Sequence, residues 1–127
     1  MSVILLNDAH PFTLALLRAI TIRLGAPPEV RAVARHVDRS RPLAEVAYEL
    51  AEAAGLAADA WQTTPLALNP PAVAPVALAL VAELHGRCGY VLPIVHLRPV
   101  AGSLPPRYEV AELADLQAMR DQARARR

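Results

Sequence analysis

Short apolar runs alternate along this chain with longer segments in which apolar side chains recur at helical spacing. The short runs lie between turn residues and predict β-strands at residues 3–6, 30–37, 66–68, 94–98 and 107–113. Glycine, proline and a capping aspartate delimit the predicted helices: the first ends before Gly25, the second lies between Pro42 and Gly55, the third runs to about Leu84, and the last follows Asp115.

The order of these elements determines the expected fold class. Strands that alternate with helices are typical of a parallel sheet with helices on both faces. We therefore expect one α/β domain over residues 1–127, with a mainly parallel sheet of about five strands flanked by helices.

The third predicted helix differs from the others because it is apolar nearly all round. Its sequence, AVAPVALALVAELHG, occupies residues 72–86. Such a helix must be covered on more than one side, and in a small domain a second copy of the chain can supply the second cover. We therefore expect a homodimer.

Composition excludes several classes of chemistry. All 13 basic residues among the 127 are arginines, so lysine Schiff bases and a complete phosphate-binding P-loop are excluded. The formal net charge of +1 argues against binding to long nucleic acids. The four histidines and one cysteine lack zinc-type spacing, so we expect no metal site and no cofactor.

An uncharged stretch at residues 60–82 has about the length needed to cross a bilayer, but four prolines interrupt it. The first apolar run, at residues 3–6, is short and lacks a preceding positive charge, so no signal peptide is expected. The lone cysteine, Cys88, agrees with a reducing compartment. These features predict a cytoplasmic protein without membrane association.

Polar residues follow the first and third predicted strands. In open parallel sheets, ligands bind outside the carboxyl ends of the strands, where loops lead into helix N-termini. Asn7, Asp8 and His10 follow the first strand, and Asn69 precedes Pro70 and Pro71 after the third. The alternative is that both asparagines are helix caps and His10 is a surface turn residue.

Arg98 closes the fourth predicted strand, where it directly follows the apolar run IVHL. An arginine at this position needs an anionic partner, which a ligand phosphate can supply. The alternative is an ion pair with Glu83, Glu109 or Glu112. His96 shares a face with Arg98, and we interpret it as a core histidine satisfied by a backbone carbonyl.

Several segments together resemble a small family of accessory proteins encoded beside type III CRISPR systems, the Csx group member numbered fifteen, which is grouped with ring nucleases. These segments are LLNDAHPFT (5–13), LALNPP (66–71), LVAELHGRCGY (80–90), IVHLRPVAGSLPPRYEVAEL (94–113) and DLQAMRDQARARR (115–127). In the turn after the first strand, Asn7, His10 and Pro11 match the family pattern, whereas Asp8 departs from it. A carboxylate beside a phosphate site is unfavourable unless it points away or pairs with an arginine.

The resemblance implies a Rossmann-like, CARF-like dimer that binds cyclic tetra-adenylate, the second messenger of type III CRISPR immunity, and lowers its free concentration. Arginine can pair bidentately with phosphate, and asparagine can contact an adenine edge. We expect the ligand-binding residues to be Asn7, His10, Asn69, Pro70, Pro71, Arg98 and Arg107.

Two mechanisms and one hypothesis of a different class remain open. The chain has no compelling acid and base pair, which favours sequestration of the intact messenger. A metal-independent ring nuclease is the first alternative, with His10 as candidate base and Arg98 as the group that stabilises the phosphate charge. The second alternative is a structural dimerisation module without a nucleotide ligand.

Overall fold

A computed structural model describes residues 2–33 and 38–127 as an α/β fold with a five-stranded sheet flanked by helices. The strands are β1 (Ile4–Asn7), β2 (Glu29–Ala32), β3 (Leu66–Asn69), β4 (Ile94–Pro99) and β5 (Tyr108–Ala114). The helices are α1 (Leu14–Leu24), α2 (Leu43–Ala53), α3 (Ala60–Thr63), α4 (Ala74–Cys88) and α5 (Leu116–Ala125).

The strand order across the sheet is β2-β1-β3-β4-β5. β1 lies between β2 and β3, parallel to both, and its register places Asn7 beside Asn69. β3 is also parallel to β4, whereas β5 is antiparallel to β4. β1 and β3 therefore end side by side at the same edge of the sheet, which we call the carboxyl edge.

The expectation of a mainly parallel sheet is wrong, because the sheet is mixed. The antiparallel pairing of β4 with β5 extends over six registered positions, more than any of the parallel pairings. A parallel pairing would need a crossover of about a dozen residues or more, usually through a helix. The connection at residues 100–107 contains no helix, so the chain turns back as a hairpin.

Two hydrophobic clusters form the core, one on each face of the sheet. Alternate side chains of β1 and β3, among them Leu6 and Leu68, pack beneath α2, α3 and α4. The intervening side chains, Leu5 and Ala67, pack on the opposite face against Leu16 and Ile20 of α1. Both central strands are therefore buried on both faces, as their apolar sequences require.

Several predicted boundaries shift in the structure. β2 ends at Ala32, and the part of the predicted second strand at residues 34–37 lies outside the described residues. The third predicted helix continues beyond Leu84 to Cys88 and ends at Gly89, whose φ of 84° favours glycine. The short helix α3 is an element that the sequence pattern did not predict.

Most helix ends follow the expected chemistry. The Asp115 side chain accepts a hydrogen bond from the Ala118 amide at 2.9 Å and caps α5, as predicted. α1 begins at Leu14, behind the cap Thr13. Within the described part of the chain, no helix combines the length and apolar character needed to cross a membrane.

Candidate functional site

The asparagines that end β1 and β3 form a buried pair at the carboxyl edge. The side-chain amide of Asn69 donates to Oδ1 of Asn7 at 2.9 Å, and both residues are almost fully buried. Oδ1 of Asn7 also accepts from the Ala9 amide at 3.1 Å, and its Nδ2 donates to the His10 carbonyl at 3.0 Å. The pair holds the tips of the two strands together and fixes the turn into α1.

These hydrogen bonds resolve the local roles of the two asparagines. Neither of them caps a helix, because Thr13 caps α1 and Val73 occupies the N-cap position of α4. Both polar side-chain atoms of Asn7 and the side-chain nitrogen of Asn69 take part in these hydrogen bonds. A contact between either asparagine and a ligand remains a prediction, and for Asn7 it would require these atoms to share their hydrogen bonds.

The other predicted residues of the two turns lie beside this pair. His10 is exposed, whereas Pro70 is half-buried and Pro71 is buried between β3 and α4. The Asp8 amide donates to the Asn69 carbonyl at 3.0 Å and so extends the pairing of β1 with β3 by one residue. The structure thus brings Asn7, His10, Asn69 and the two prolines together at one edge.

Asp8 carries a carboxyl group in an unusual environment. Its Oδ1 is enclosed by protein atoms and has no hydrogen-bond partner. Burial raises the pKa of the Asp8 carboxyl to about 7, because desolvation disfavours the charged form. The group therefore titrates near neutral pH, far above the range of an exposed aspartate.

A cavity of about 270 Å³ lies between the N-terminal ends of α2 and α4. Both helices follow parallel strands, so their N-termini belong to the carboxyl edge. The lining combines apolar side chains with two arginines and one aspartate: Asp38, Arg39, Arg41, Leu43, Val46, Val73, Pro75 and Val76.

The two arginines of this cavity differ in how they are held. Arg41 donates to both carboxylate oxygens of Glu49, at 2.6 and 2.7 Å, and to Glu45 at 3.3 Å. The hydrogen bonds to Glu49 raise the pKa of Arg41 above its ordinary value and fix the side chain. Arg39 is exposed and makes no side-chain ion pair with the residues that the structure describes. Its guanidinium is available to an anion.

Arg98 and Arg107 lie on the β4–β5 hairpin rather than with the cavity residues. Nε of Arg98 donates to Glu109 at 3.0 Å across the two strands, which is one of the ion pairs considered as the alternative. His96 pairs in the same way with Glu112 at 3.2 Å and is exposed, so its interpretation as a core histidine is wrong. Arg107 is exposed at the start of β5.

The sequence analysis missed Arg39 and Arg41 because they occupy the loop before α2, where no strand end drew attention to them. A signal was nevertheless present. The segment DRSRP at residues 38–42 places two arginines directly before a helix that opens with proline. Arginines at these positions lie beside the N-terminal end of α2, at the carboxyl edge. Helix N-termini are favourable sites for anions.

Arg87, near the end of α4, has a structural role. Its guanidinium bonds to Glu83 at 2.9 Å and Glu52 at 3.0 Å, and it lies over the rings of Tyr48 and Trp61. These contacts join α2, α3 and α4 on one face of the sheet. Over residues 2–33 and 38–127, no group of three or more metal-ligating side chains could hold an ion.

The carboxyl edge thus combines a rigid asparagine pair, a desolvated carboxyl group and an apolar cavity with arginines at its rim. Such a site can hold a planar base against apolar side chains while cations meet a phosphate. No protein-family model, curated protein or solved structure matches the chain, so its function must be argued from these residues.

Proposed function

We propose that this protein binds cyclic tetra-adenylate at the carboxyl edge and acts by sequestering the intact messenger. The observation that carries the proposal is the arginine-bearing cavity between the N-termini of α2 and α4. Helix N-termini offer unpaired amides and partial positive charge to an anion, and the valines of the cavity suit an adenine ring. The resemblance to the CRISPR accessory family supplies the identity of the nucleotide.

A Rossmann-like, CARF-like dimer suits this ligand. In a two-fold dimer the same residues of each protomer can meet opposite halves of a ring of four equivalent nucleotides. The large exposed apolar side chains provide candidate surface for that association. Leu78, on the outer side of α4, is 72% exposed, and Ile22 of α1 is 80% exposed.

Sequestration is favoured over cleavage by the arrangement of the titratable groups. Cleavage would proceed by attack of a ribose 2′-oxygen on the adjacent phosphorus, with loss of the 2′-hydroxyl proton to a base and departure of the 5′-oxygen. The His10 side chain, the candidate base, is exposed, and no side chain in the described part of the chain orients it by a hydrogen bond. A general base is more effective when another group holds it in place.

A metal-independent ring nuclease is the second candidate function. The position of His10 favours it, because this exposed imidazole lies in the turn after β1, at the same edge as the cavity. Alignment of the 2′-hydroxyl can accelerate cleavage even without a well-oriented base. Cleavage would then be slow, and sensitive to His10→Ala.

Calorimetry with cyclic tetra-adenylate tests the site. Arg39→Ala should weaken binding by about 10- to 150-fold, the effect of losing one charge-assisted phosphate contact of about 1.5 to 3 kcal/mol. Arg124→Ala, at an exposed position in the last turn of α5, is the matched control and should bind like the wild type. Equal affinity of the Arg39 variant and the wild type would exclude this cavity. Absence of binding by the wild type would leave the dimerisation module as the better account.

A further inference from the structure

The Asp8 side chain is a buried polar group without a structural function. Its Oδ1 is enclosed, yet no hydrogen bond or ion pair involves its carboxyl group in the described residues. Buried polar atoms in folded proteins nearly always have a partner, and an orphaned one lowers stability. An orphaned polar group at the end of a central strand is a candidate for ligand binding.

The position of Asp8 relates it to the cavity. Side chains alternate along a strand, and Asp8 continues β1 by one hydrogen bond to the Asn69 carbonyl. This alternation places Asp8 on the same side as Ile4 and Leu6, which pack beneath α2 and α4. Asp8 shares the carboxyl edge with the cavity but is not one of the residues that line it. Asp8 is only partly buried as a whole residue, and Oδ1 is its enclosed oxygen.

We propose that Asp8 contacts the bound nucleotide as a neutral carboxylic acid and donates its O–H to an acceptor atom of the ligand. This inference rests on the proposed function and names a specificity-determining residue of the same site. A neutral acid avoids the repulsion that a carboxylate would exert on a phosphate. The valines of the cavity suit an adenine ring, so the acceptor is a ring nitrogen of adenine, while Arg39 meets the phosphate.

Burial is the cause of the raised pKa of Asp8, and no neighbouring charge adds to it. His10 lies on the same turn, and Asp38, Arg39 and Arg41 line the cavity beside α2, but none of them contributes to the raised pKa of Asp8. The turn after β3 and the first turn of α4 contain no charged residue. His10 is the nearest ionisable residue along the chain, so a His10 variant serves as the control for Asp8.

The experiment is calorimetry with cyclic tetra-adenylate at pH 6, 7 and 8, using the wild type and the Asp8→Asn, Asp8→Ala and His10→Asn variants. Wild-type affinity should fall about tenfold from pH 6 to pH 8, because the pKa of Asp8 is about 7 and only the neutral form donates. Asp8→Asn keeps a neutral donor, so its affinity should not fall over this range. Asp8→Ala should bind about tenfold more weakly than the wild type at pH 6, and His10→Asn should keep the wild-type pH dependence.

Each outcome decides the inference. Wild-type binding that does not change with pH, or a pH dependence that survives in Asp8→Asn, would overturn the role of Asp8 while leaving cyclic tetra-adenylate as the ligand. Loss of the pH dependence in His10→Asn would assign it to the histidine and overturn the inference as well. Absence of wild-type binding at every pH would overturn both this inference and the proposed function.

Discussion

At the scale of single residues, Asp8 shows how one buried group can set the pH dependence of folding. Its pKa is about 7 in the folded protein and 3.8 for an ordinary aspartate. Well below pH 3.8 the carboxyl is neutral in both states, so its ionisation does not change the stability. As pH rises, the unfolded chain ionises first and stability falls, until the full loss is reached above pH 7.

Asp8→Asn should therefore stabilise the protein at high pH. The raised pKa predicts a gain of about 1 to 4 kcal/mol at pH 8 and little gain at pH 4. Urea unfolding of the variant and the wild type at both pH values measures the difference. Asp59→Asn, at an exposed position, is the control and should change stability little at either pH. A gain for Asp8→Asn that is equal at pH 4 and pH 8 would contradict the raised pKa.

The Asn7–Asn69 pair predicts a stability effect of its own. Asn69→Ala removes the donor to Asn7 Oδ1 in a buried site, and we expect a loss of about 1 to 3 kcal/mol. Asn69→Asp should be worse at pH 7, because a buried carboxylate would face the Asn7 oxygen. Thermal unfolding measures both variants, and an Asp variant more stable than the Ala variant would contradict the assigned hydrogen bond.

At the scale of elements, the β4–β5 hairpin carries Arg98 in an exposed ion pair with Glu109. Exposed pairs contribute little, about 0 to 1 kcal/mol, so the guanidinium can leave Glu109 for a phosphate at small cost. We therefore expect Arg98→Ala to change stability by less than about 1 kcal/mol and to weaken binding of cyclic tetra-adenylate by tenfold or more, as measured by calorimetry. Glu109→Gln is the matched control and should not weaken binding. Unchanged affinity for Arg98→Ala would place this residue outside the site.

Most elements could be predicted because the residues that signal them lie within the element or directly beside it. The Asp115 cap, the proline before α2 and the apolar runs of β1 and β3 all appear where expected. The direction of β5 relative to β4 could not be predicted from the sequence of β5 itself. It depends on whether the segment after β4 crosses over the sheet or turns back, and RYEVAEL has the composition of a strand in either case.

At the scale of the whole molecule, the carboxyl edge could be located from topology, but its chemistry could be predicted only in part. Asn7 and Asn69 were correctly expected at one edge because parallel strands end together. Their mutual hydrogen bond depends on the register between β1 and β3, which the sequence does not show. The burial of Asp8 and the meeting of α2 with α4 depend on packing between distant segments.

Association of two copies of the chain into a homodimer remains a prediction. Leu78 lies on the outer side of α4, 72% exposed, while Val76, Leu80 and Leu84 face the core. If α4 takes part in the interface, Leu78→Asp should shift the protein toward monomer at micromolar concentration, because a charge would enter an apolar contact. Light scattering with size-exclusion chromatography measures this, with Arg124→Asp, at an exposed position in the last turn of α5, as the control. A wild-type mass near 13.6 kDa would contradict the dimer.

The fate of the bound nucleotide distinguishes sequestration from cleavage. Cyclic tetra-adenylate is incubated with stoichiometric protein, the bound fraction is separated, and the nucleotide is released by heat and analysed by chromatography. Sequestration predicts that the ligand is retained by the protein and recovered intact in full. Sequestration would be contradicted by rapid conversion, over many turnovers, to linear or 2′,3′-cyclic-phosphate products. If that conversion is indifferent to EDTA and abolished by His10→Ala, the protein is a ring nuclease. Ligand that is never retained would contradict binding altogether.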